Sequence, residues 1–159
     1  MRFIPEESID KSIAYLEEDE SNYDQALLTF TQSQPGITNY LLSEDFESLT
    51  EYEKELMLYM CVIIYQALKS VYPELPQLST DEIENAEEVN WGKLENVTAK
   101  KFKDRLDVFF HETPQEDLLA FLEDVLIEEE EDITKEGREP IFVALKSVID
   151  VFQESLMEK

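Results

Sequence analysis

The longest unbroken apolar pattern in the chain lies between Thr50 and Tyr72, TEYEKELMLYMCVIIYQALKSVY. Leu56, Met60, Ile63, Ala67 and Val71 recur at helical spacing, and Met57, Cys61, Ile64 and Leu68 form a second stripe beside them. From Leu56 to Leu68 only Gln66 is clearly polar, so a helix here has no wet face along its middle turns. Such a helix must be wrapped by other elements or by lipid. Its thirteen uncharged residues span about 20 Å at ~1.5 Å per residue, too short for a hydrocarbon core of about 30 Å. The pattern predicts a buried core helix. Thr50 with Glu53 makes a capping box at its start, and Tyr72-Pro73 ends it.

The flanking pattern predicts shorter helices. Pro5, Glu6 and Glu7 suit a helix start, and Ile9, Ile13 and Leu16 give a narrow stripe ending in Glu17–Glu20. Asn22 with Gln25 reads as a capping box for a second helix with Leu27, Leu28 and Phe30 inward, broken by Gln34-Pro35-Gly36. A short helix from Ile37 to Leu42 brings Tyr40 and Leu41 to the core, and Ser43–Leu49 connects it to the central helix. Beyond Tyr72, Pro73 and Pro76 make a stiff extended link. Ser79 with Glu82 caps a weak helix through Ile83, Ala86 and Val89, which Trp91-Gly92 ends. Thr98 opens a helix carrying Phe102, Leu106, Phe109 and Phe110. Thr113-Pro114-Gln115-Glu116 reads as the next start, with Thr113 as N-cap and Pro114 in the first turn. Leu118, Leu119, Phe121, Leu122, Val125 and Leu126 form the buried face of that helix, and Glu128–Asp132 closes it. The last helix reads Ile141, Leu145, Val148, Ile149, Phe152 and Leu156. Pro140 either occupies its first turn or lies inside a helix that begins near Thr134.

Residues 49–68 can be laid on residues 133–152 with most apolar positions coincident. Thr50 then matches Thr134 and Glu55 matches Glu139, whereas Val62 and Ile63 meet Lys146 and Ser147. Convergence on one binary pattern is the simpler account, and a duplicated helical pair is the sharper one. Only three glycines occur, and Asn-Gly and Asp-Gly pairs are absent, which starves a β-rich fold of hairpin turns. The expected class is all-α: a compact single-domain bundle of about six to eight helices over residues 1–159, with a short helical-repeat-like stack as the variant.

Charge narrows the partners. Thirty-eight acidic side chains face thirteen basic ones, a formal net charge of −25. Such a field repels nucleic acid and anionic membranes and suits cations or a basic protein. A single cysteine, Cys61, allows no intramolecular disulfide, and the N-terminus turns acidic without an apolar signal core. A cytoplasmic location is the expectation.

Candidate chemistry is sparse. A di-metal bundle needs Glu-x-x-His motifs on two helices. Here the one histidine, His111, has Val108 three residues before it and reads as a helix C-terminal cation near Asp107. The runs Glu17–Glu20 and Glu128–Asp132 lack the glycine and alternating ligands of a calcium loop. Cys61 has no local cation to activate it, and no nucleophile elbow, phosphate loop or dinucleotide fingerprint occurs. No enzymatic activity, metal or cofactor is expected.

Two surface features stand out. Lys100, Lys101, Lys103 and Arg105, with Lys93, gather five of the thirteen basic residues near the acidic run Glu128, Glu129, Glu130, Glu131 and Asp132. Trp91 is the sole tryptophan and reads as a helix-end cap over the bundle or an interaction anchor. Together these predict a non-enzymatic interaction module, its acidic surface docking an unknown, basic protein partner or a second copy of the chain. The alternative is an acidic mimic of a nucleic-acid phosphate array that blocks a basic protein.

Overall fold

The computed structural model describes residues 1–129 and 131–157. The elements in order are α1 (Glu6–Glu18), α2 (Glu20–Ser33), α3 (Pro35–Leu41), a 3₁₀ turn (Glu44–Phe46), α4 (Glu51–Val71), α5 (Thr80–Glu95), α6 (Phe102–Arg105), α7 (Asp107–Phe110), α8 (Glu116–Glu128) and α9 (Lys135–Met157). Helices α6 and α7 are single turns, so seven helices of seven residues or more remain among the described residues. The fold is an all-α bundle, and no described helix is long and apolar enough to cross a membrane.

The middle of helix α4 is wrapped on every side, as its two apolar stripes predict. Met60 through Tyr65 are all buried in succession. The expected capping box is formed: Thr50 Oγ1 accepts from the Glu53 N–H, and the Glu53 carboxylate accepts from the Thr50 N–H. Helix α5 begins with the second expected box, Ser79 with Glu82. Helix α9 begins at Lys135 and carries Pro140 inside it.

Four local readings need correction. Helix α2 is capped by Asp19, whose side chain accepts from the Ser21 N–H, while Asn22 donates its amide back to the Tyr15 carbonyl; Leu28 is half exposed. Helix α5 runs through Trp91-Gly92 to Glu95, and Val89 points outward. The predicted helix from Thr98 is only the two short turns α6 and α7, because Arg105 donates to the Val97 and Ala99 carbonyls and holds that strand of chain extended. Helix α8 starts after Gln115, with Thr113 Oγ1 accepting the Gln115 N–H in a turn that precedes the helix.

One continuous hydrophobic cluster fills the interior. Helix α1 packs on α4 and α5 packs on α9; α3 of the first half packs on α5, and α8 of the second half packs on α1. Helices α4 and α9 meet in the middle. Each half thus lends its penultimate helix to the first helix of the other. The N-terminal segment closes the ring, with Ile4 N–H donating to Gln115 and Glu6 N–H to Asp117. These contacts between the halves, with the N-terminal tie, bind them into one bundle.

Candidate functional site

The two long helices begin at one carboxylate. Glu53 is fully buried. Its Oε1 accepts the Thr50 N–H at 2.8 Å, and its Oε2 accepts the Thr134 N–H at 2.7 Å and the Thr134 hydroxyl at 2.8 Å. Burial pushes this carboxyl upward, but the hydrogen bonds from Thr50 and Thr134 outweigh it and hold it below the usual glutamate value. Thr134 Oγ1 in turn accepts the Gly137 N–H. Gly137 occupies in α9 the position that Glu53 occupies in α4, and a methyl there would collide with the Glu53 carboxylate. The second helix therefore borrows the capping acid of the first. This is a clasp, already saturated by internal donors.

Where the two helices diverge, at Lys146 and Ser147, α9 carries a polar network toward α5. The Lys146 ammonium is buried and donates to Asn90 Oδ1 at 3.0 Å and Asp150 Oδ2 at 2.7 Å, beneath the Phe109 ring. Asn90 also donates to Ser147 Oγ and Asp150. Every partner is internal, so the lysine ties two helices rather than facing a substrate. Cys61 is similarly enclosed, with burial pushing its thiol up to about 12. No group of three or more potential ligand side chains converges to hold a metal among the described residues.

The surface is less uniform than the interior. Pro35 at the first position of α3 turns the chain sharply after α2, and α3 ends within two turns at Leu42. The 3₁₀ turn that follows drives Phe46 inward, edge-on to Tyr40 at 5.3 Å. Leu42 is left 75% exposed. Between α2, α3, this turn and the start of α4 lies a groove of about 410 Å³. Its floor is Leu27, Leu41, Phe46 and Leu58, with Leu42 on the lip. Its rim carries Glu44, Glu47, Glu51 and Glu55; the cation in its wall, Lys54, pairs with Glu51 at 3.7 Å. The Ser43 hydroxyl is buried in the same wall without a hydrogen-bond partner among the described residues.

The residues singled out in the sequence are scattered by comparison. Arg105 makes a two-pronged pair with Glu139 of α9, at 2.8 and 3.2 Å, and so is consumed inside the fold. Lys93 pairs with Glu112 at 2.6 Å. Lys100, Lys101 and Lys103 are exposed, and Lys103 lies close enough to Glu123 of α8 to act on its charge. Trp91 is half buried on α5, where it packs against the core and donates to Glu87 at 3.2 Å; the helix runs past it to Glu95. Glu128, Glu131 and Asp132 are exposed, and Glu130 lies outside the described residues. Glu129 accepts from the Tyr52 hydroxyl at 2.8 Å, a bond that pushes the phenol up to about 12. The groove escaped sequence reasoning because Leu27 and Leu41 have the spacing of ordinary core positions. The signal that could have exposed it is Leu-Leu-Ser at 41–43, followed at once by Glu44, Glu47, Glu51 and Glu55.

No family model, no curated protein and no solved structure matches the chain.

Proposed function

We propose that this protein is a non-enzymatic docking module, acting in the cytoplasm, whose acidic surface receives a basic protein partner. The observation that carries the reading is the groove beside Leu42: an apolar floor ringed by four carboxylates, on a chain of net charge −25. Apolar area supplies attraction on contact, and the rim selects a cationic partner and speeds its arrival. The polar clusters with the greatest chemical potential, at Glu53 and Lys146, have all their partners inside the fold. That supports binding over catalysis. A phosphate mimic needs a continuous row of carboxylates and has no use for an apolar floor, so phosphate mimicry ranks second.

The acidic run at residues 128–132 offers a competing face on the same reading. Affinity capture from the native host at low and high salt separates them. Glu44→Gln, Glu47→Gln and Glu55→Gln together should release a basic protein that the parent retains at low salt, while Glu128–Glu131 all changed to Gln should retain it. Equal retention by the parent and the groove variant would sink the groove as the docking face. Loss only with the second variant would move the site to the end of α8.

A further inference from the structure

We infer that the occupant of the groove is an amphipathic helix, apolar on one face and lysine- or arginine-rich on its flanks, supplied by another protein. The inference rests on the docking reading above and specifies its ligand. Peptide segments are recognised by a small set of physical modes, and the lining of this groove discriminates among them. Adding a strand requires an open sheet edge, and the described residues contain no strand. Polyproline recognition requires an aromatic-lined channel, whereas Phe46 is the only aromatic side chain in this lining. Phosphopeptide capture requires a cluster of arginines, and here the charged wall is four carboxylates with one lysine, Lys54, that pairs with Glu51. Helix-in-groove docking requires an aliphatic trough between helices, with charges of one sign along its edges. Leu27, Leu41, Leu42 and Leu58 supply the trough from α2, the end of α3 and α4.

Charge decides whose helix it is. The rim of Glu44, Glu47 and Glu55 repels the acidic surface of a second copy. The basic stretch of this chain is also compromised as a ligand. Its Arg105 is held by Glu139, and its Phe102 packs edge-on to Phe142 in the core. A foreign helix with apolar anchors about one turn apart and cations beside them satisfies both floor and rim.

The test uses the intact protein and three synthetic peptides of roughly 18 residues, about 27 Å as helices. One is a leucine–lysine helix with its leucines on one face. The second has the same composition scrambled to remove the face. The third replaces lysine with glutamate in the first pattern. Binding is followed by fluorescence anisotropy at low and moderate salt. The amphipathic leucine–lysine helix should bind at least about tenfold tighter than the scramble, and the glutamate helix should not bind. Leu42→Asp should erase that preference, and melting curves will show that this exposed position leaves the fold intact. Equal affinity for the first two peptides, undisturbed by Leu42→Asp, overturns the helix inference while the docking reading survives as simple charge attraction. Failure of both lysine peptides to bind at low salt overturns the docking reading itself. Sedimentation of the parent as a dimer, with Leu42→Asp monomeric, would identify a second copy as the occupant and overturn the foreign-helix assignment.

Discussion

The Glu53 carboxylate accepts from two threonines, one at the start of its own helix and one at the start of α9. A helix N-cap is worth about 0.5–2 kcal/mol, so an acid serving two helix ends is worth about 1–4 kcal/mol. Glu53→Gln keeps the shape but aims an amide at N–H donors, and should cost an amount in that range at pH 7. The pH dependence follows from the lowered folded value. The stabilisation is complete above the ordinary value of 4.5 and disappears as pH falls through the folded value. Urea midpoints of the parent and Glu53→Gln should therefore differ by a constant amount from pH 7 to about 5 and converge in stronger acid. A gap that widens on acidification would show the folded carboxyl to be raised rather than lowered.

Among the helices, the same substitution should have opposite signs at two glycines. Alanine is favoured over glycine by about 1 kcal/mol inside a helix. Gly92 lies within α5 with open space where a methyl would sit, so Gly92→Ala should raise stability by up to about 1 kcal/mol. At Gly137 the methyl would displace the Glu53 carboxylate, which cannot move without losing both caps, so Gly137→Ala should lower the melting temperature. Combining it with Glu53→Ala should remove that penalty, the signature of direct coupling. The helices legible in the sequence were those with a local signal: the boxes at Thr50 and Ser79, the apolar stripes of α4, and the Pro35 break. Those misread were set by partners far along the chain. Gln115 is drawn into the core by Arg2, Ile4 and Gln153, which delays the start of α8 beyond the local signal at Thr113. Arg105 unwinds the predicted Thr98 helix through two carbonyls while reaching Glu139. At α2 the cap is Asp19, three residues before the Asn22–Gln25 pair that the sequence pointed to, and binary pattern carries no signal for the difference. The same limit hid the groove. Leucine at 27, 41 or 42 has one appearance in sequence whether it is covered or not.

Across the bundle the dominant quantity is the net charge of −25, against five ion pairs among the described residues, three of them between neighbours on a single helix. Exposed pairs contribute about 0–1 kcal/mol each, too little to offset the repulsion among the remaining acids. Screening over a Debye length of about 10 Å at 0.1 M relieves that repulsion. The melting temperature should rise from low salt to a few hundred millimolar NaCl. A flat response would mean that the pairs already balance the excess. The salt that steadies the fold would also weaken capture of a cationic helix, so stability and binding should move in opposite directions along one titration.

Residues 73–78 form the extended link between the halves, and the clasp at Glu53 spans it from one side to the other. Severing the chain there would leave the C-terminal piece with a threonine at the head of its longest helix and no acid to meet it. The N-terminal piece would keep the acid, yet α4 would lose the face that α9 covers. Neither fragment should hold its fold alone. Mixed together, each would supply what the other lacks, and the two would behave as a heterodimer assembled around a single shared carboxylate.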